Sequence, residues 1–154
     1  MYETAVAHYL ATAKRSFLDV ALKNADLIYD VCVVQAKPYV PGHQEIEIGL
    51  VKLYRVSGEA KYLELAKHLL DIRAEAKQGE YGQAHRPVVL QEEAVGHAVR
   101  TNYMYSAMAD VAALTGDTDY KAAIGKKWRN VAEKKLSITS GTMIIMRESG
   151  LYNF

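Results

Sequence analysis

Apolar positions recur at helical spacing along most of the chain. Ala5, Val6, Tyr9 and Leu10 predict a helix over residues 2–12. Phe17, Val20, Ala21, Ala25 and Ile28 form the stripe of a second, over 16–29, with Asn24 as its polar interruption. Residues 32–40 read as a break that ends in Pro41-Gly42. Ile46, Leu50, Leu53 and Tyr54 then predict a third helix over about 43–56, and Leu63, Ala66, Leu69 and Leu70 a fourth over 60–72. Residues 78–90 carry Gly, Gln and His and stop at Pro87, the pattern of a polar loop. A fifth helix over about 91–114 is apolar on most sides from Ala94 onward and is expected to be buried, and a sixth covers about 119–134. Beyond it the pattern fades. The fold class is therefore all-α.

Between these helices the chain repeats itself. Thr12-Ala13-Lys14-Arg15-Ser16-Phe17 aligns with Ser57-Gly58-Glu59-Ala60-Lys61-Tyr62 and with Thr115-Gly116-Asp117-Thr118-Asp119-Tyr120. Each string is a hydroxyl residue, a small residue, a short stretch of mainly polar residues and an aromatic at the head of the next helix. That is an αα-hairpin turn, with glycine just past the helix end, where the left-handed conformation costs glycine least. Ala13 departs from the pattern and must bear about 1 kcal/mol if it adopts positive φ. The repeats are 45 and 58 residues apart, too uneven for a short-repeat solenoid. They suit three helical hairpins forming an arc of a larger toroid, whose open edge would be available for self-association.

Composition narrows the function classes. The 154 residues are 50% apolar and 24% charged, ordinary for one globular domain, and the formal net charge of +1 gives no electrostatic case for nucleic acid or an anionic membrane. No apolar run is long enough to span a bilayer, and the first residues lack the basic and apolar regions of a signal peptide, so a cytoplasmic location is the default. The single cysteine, Cys32, cannot build a disulfide or a Cys-rich metal site and is expected to pack in the core. No nucleophile elbow, P-loop, dinucleotide fingerprint or His-Glu-x-x-His string is present.

Two strings put polar groups where burial is predicted. In Pro41-Gly42-His43-Gln44-Glu45-Ile46-Glu47, the third helix as predicted places His43 and Glu47 on one face near its N-terminus. There the dipole favours the carboxylates of Glu45 and Glu47, and His43 could cap the helix. In Glu92-Glu93-Ala94-Val95-Gly96-His97-Ala98-Val99-Arg100, His97 lies inside an apolar helix and must meet a partner or line a cleft. Gly96 beside it signals a close approach, and Arg100 could pair with Glu93. The loop Tyr81-Gly82-Gln83-Ala84-His85-Arg86-Pro87 adds planar polar groups suited to a polyhydroxylated ligand. The carboxylates Glu45/Glu47 and Glu92/Glu93 are available, but spacing assigns neither pair an acid and a base.

Several long strings in collinear order resemble glycoside hydrolase family 127, the β-L-arabinofuranosidase-like enzymes. They are Tyr2-Glu3-Thr4-Ala5-Val6-Ala7-His8-Tyr9, Pro41 to Glu47 as quoted, Leu50-Val51-Lys52-Leu53-Tyr54-Arg55-Val56, Glu93 to Arg100 as quoted, and Met108-Ala109-Asp110-Val111-Ala112-Ala113-Leu114-Thr115-Gly116-Asp117. The resemblance covers roughly residues 1–141, leaving 142–154 as a divergent tail. It implies about half of an (α/α)6 barrel of six hairpins whose cleft binds a furanose. On it, His43, His97, Glu45 and Glu47 are the substrate-binding candidates.

The resemblance also implies a retaining release of terminal L-arabinofuranose by the whole enzyme, acting on an L-arabinofuranoside-containing glycan. The family's acid/base glutamate follows an Ile-Thr-Gly-Gly string, which reads Ile138-Thr139-Ser140-Gly141 here before the chain departs. Glu148 is not promoted to that role. The family's zinc site, built from cysteines and a glutamate, has no counterpart around Cys32, so no catalytic or metal-ligating residue is assigned. Family members also continue upstream of Met1, and the chain is expected to be an internal piece, inactive alone. The alternative is a small helical-repeat protein that binds a partner on a concave face.

Overall fold

A computed structural model describes residues 1–137. It contains six α-helices: α1 (Tyr2–Thr12), α2 (Ser16–Tyr29), α3 (Ile46–Ser57), α4 (Ala60–Asp71), α5 (Ala98–Thr115) and α6 (Thr118–Lys134). They pack as the hairpins α1–α2, α3–α4 and α5–α6, and α3 lies between α1 and α5, so the odd-numbered helices run as consecutive neighbours. The string Ile138 to Gly141, Glu148 and the expected tail at 142–154 lie outside the described residues.

The repeated turns form as the sequence predicts. Gly58 and Gly116 adopt φ of 75° and 74°, and Ala13 adopts the same left-handed conformation at 58°. The hydroxyl residue does two jobs each time. Thr12 donates to the carbonyl of His8, Ser57 to Leu53 and Thr115 to Val111, each four residues back. The same oxygens accept from the backbone N–H of Lys14, Glu59 and Asp117, each two residues on. One side chain thus satisfies an orphan carbonyl and opens the turn. The aromatic that follows secures the hairpin to its predecessor: Tyr62 donates to Asp26 at 2.7 Å and Tyr120 to Asp71 at 2.6 Å.

One core runs through the hairpins, built on Ala5, Leu18, Leu50, Leu53, Leu65, Leu69, Met104 and Met108. Cys32 is buried in it, as expected, within a short π-helical turn at Asp30–Val34. Two expectations are corrected. α5 is buried on one face only, with Val99, Tyr103 and Leu114 exposed, because α3, α4 and α6 cover one side of it. And α3 and α5 both start later than the apolar pattern suggests, which decides the site.

Candidate functional site

α3 begins at Ile46, with Glu45 as its N-cap residue and no capping side chain. His43 therefore precedes the helix. It does not cap it, and it shares no helix face with Glu47. Glu45 holds φ of −132°, outside the helical range, so the helix cannot extend back through it, and Gln44 beside it is buried. Glu45 is exposed, with Oε2 3.8 Å from His43 Nδ1, an ion pair when that imidazole is protonated.

α5 begins at Ala98, not Gln91. Gly96 holds φ of 80°, which no continuing helix allows, and His97 is extended as the N-cap residue. Its Nδ1 accepts from the Arg100 N–H at 3.5 Å. An accepting Nδ1 leaves the proton of the neutral ring on Nε2, so His97 presents a hydrogen-bond donor. The predicted partner of Arg100 is also corrected. Its guanidinium bonds Gln78 Oε1 at 3.4 Å and lies 4.9 Å from the centre of the Tyr81 ring, not against Glu93.

These groups form one row. The His43 ring meets Tyr103 edge-on with centroids 5.7 Å apart, and Tyr81 meets His97 edge-on, also at 5.7 Å. Tyr103 and Arg100 are about one helical turn apart on α5, so the two pairs are met by neighbouring positions of that helix. His43 and Glu45 also line a cleft of about 400 Å³ between the starts of α1 and α3, beside Tyr2 and Asn24. His97 does not line that cleft.

Beneath the row lies a buried polar layer. Arg73, fully buried, donates to the carbonyls of Gly82 at 3.1 Å and Pro41 at 2.6 Å. Gln83 donates to the carbonyls of Tyr81, Val95 and His97. Thr101 donates to Val95 and His97. Glu47 belongs to this layer, not to the row. Its side chain is fully buried, neither oxygen is hydrogen-bonded by another residue, and burial pushes its pKa up to about 7, opposed by its own backbone N–H and by the charge of Arg73. So enclosed, Glu47 is not exposed alongside the other candidates.

Sequence reasoning did not find Gln44, Arg73 or Tyr103. Arg73 reads as a basic residue at a helix end, and Gln44 as one polar residue among several; only their long-range partners distinguish them. Among the described residues no three His, Cys, Asp or Glu side chains gather as a metal site, and Cys32 is enclosed in the core.

The chain matches the family described as β-L-arabinofuranosidase, GH127 catalytic domain, over residues 1–147. It is 34% identical to a non-reducing end β-L-arabinofuranosidase of Bifidobacterium longum, covering 89% of this chain and 24% of that protein. A solved GH127 β-arabinofuranosidase is 56% identical with a TM-score of 0.85, covering 92% of this chain and 23% of the other. A second, a GH127 β-L-arabinofuranosidase from Geobacillus stearothermophilus T6, is 41% identical with a TM-score of 0.85, over 92% of this chain and 26% of that one. The chain thus spans about a quarter of the length of these relatives.

Proposed function

The chain belongs to the GH127 β-L-arabinofuranosidase catalytic-domain family, and from that premise we propose that the row from His43 to His97 is part of a furanose-binding surface. The whole enzyme would release terminal L-arabinofuranose from a glycan with retention, while this chain binds sugar and does not cleave it. The observation that supports this reading is the row itself: two imidazoles, two tyrosines and an arginine, side by side and partly open to solvent. Planar donors of this kind match the alternating hydroxyls of a sugar ring. His97 offers Nε2–H as donor, and His43 carries the nearby Glu45 carboxylate. The zinc of the family has no proposed ligand among the described residues.

The test is a titration with methyl β-L-arabinofuranoside, followed by the ring resonances of His43 and His97. The expected result is weak, saturable movement of both rings at high sugar concentration, with no calorimetric heat at millimolar sugar, because a partial cleft preorganises little. Movement of neither ring would contradict the reading.

A further inference from the structure

His43 and His97 sit on segments that no helix connects directly, so something must fix their relative placement. We propose that Gln44 and Gln83 are the positioning pair that does so. The Gln44 amide nitrogen donates one hydrogen to the carbonyl of Gly82 at 2.6 Å and the other to Gln83 Oε1 at 2.5 Å. Gln83 then turns its own amide nitrogen onto the carbonyls of Tyr81 and Val95, both at 3.0 Å, and His97 at 3.5 Å. The chain of bonds leaves the residue next to His43 and ends on His97 itself.

Three further features support a dedicated device. Both glutamines are fully buried, and the two hydrogens of the Gln44 amide are both placed on this link while its Oε1 has no partner, so its bonds run toward Gly82 and Gln83 alone. Gln83 holds φ of 55°, a conformation costly for a side-chain-bearing residue and maintained where the surroundings over-determine it. Gly96 leaves room for the arrangement: a Cβ there would stand 2.7 Å from Gln83 Nε2 and 2.1 Å from the Glu80 carbonyl. Removing the Gln44 amide leaves the Gly82 carbonyl bonded to Arg73, so the link can be cut without orphaning its backbone end.

The proposal rests on the furanose-binding reading for its purpose but not for its test. Hydrogen exchange is followed residue by residue in Gln44→Met, without sugar. The His97 amide, bonded to the Tyr81 carbonyl at 3.1 Å, is expected to exchange about tenfold faster, the equivalent of one lost hydrogen bond. The His97 ring resonances should move as well, while the amides of Leu65 and Leu69 in α4 keep their rates. Equal acceleration everywhere would reduce Gln44 to a structural residue, and an unchanged His97 in a folded variant would do the same; either overturns the proposal. Should Gln44→Met not fold, Gln44→Asn, which keeps the amide on a shorter stem, reads the same amides with the same criteria. A chain that passes this test and fails the furanoside titration keeps its positioning pair and loses the sugar reading.

Discussion

The hairpin turns and the loop under His97 both hold residues at positive φ, but they hold them in different ways. At Gly58 and Gly116 nothing lies within 4 Å of where a Cβ would be, and the conformation is set by a hydroxyl side chain one residue before. At Gly96 the same conformation is enclosed by two backbone carbonyls and the Gln83 amide. The turns are local devices that tolerate change; the loop is a tertiary device in which one added carbon collides with backbone. A surface that must keep two histidines in register needs the second kind.

The largest expected effect breaks the loop. Gly96→Ala adds a Cβ against carbonyls that cannot swing away and should cost about 3–5 kcal/mol in denaturant unfolding, or prevent folding. Next comes the charge beneath the row. Glu47 has its pKa raised in the fold, so the folded chain binds the proton more tightly than the unfolded chain, and stability must fall as pH rises from about 4.5 to about 7. Glu47→Gln should abolish that fall, stabilising the chain above pH 7 by on the order of 3 kcal/mol and changing little near pH 4. Unfolding curves across that range check both statements.

Changes in the turns should be smaller. Tyr120→Phe removes one hydrogen bond, while Asp71 keeps Lys67 at 3.0 Å, and should cost about 1 kcal/mol. Gly58→Ala should also cost about 1 kcal/mol, against the 3–5 of the same substitution at Gly96. Ala13→Gly should stabilise by about 0.5 kcal/mol, since Ala13 already bears the left-handed strain. Thermal unfolding of the three variants, measured together, ranks them.

The same contrast separates what could be read from the sequence. The turns were legible because every partner lies within a few residues: Thr12, Ser57 and Thr115 bond to carbonyls four back and amides two on. The boundaries of α1 and α2 followed for the same reason. The starts of α3 and α5 did not. Apolar periodicity carried α5 back through Ala94 and Val95, but Gly96 and His97 obey Gln83 and Tyr81, far off in the chain. Glu47 reads as a dipole-favoured surface carboxylate and is buried, because it falls on the face of α3 that carries Leu50 into the core, near the charge of Arg73. His43 and His97 stand out in the sequence as polar groups where burial is predicted, and the structure sets Tyr103 against one and Tyr81 against the other. Of these, Tyr103 carried no signal, being one tyrosine among 11.

The most direct test of the row is a map of aromatic proton contacts in the free chain by nuclear Overhauser spectroscopy. The account predicts cross-peaks between the rings of His43 and Tyr103 and between those of Tyr81 and His97, each pair being centred 5.7 Å apart. Rings of His43 and His97 that contact neither tyrosine, in a folded chain, would contradict it.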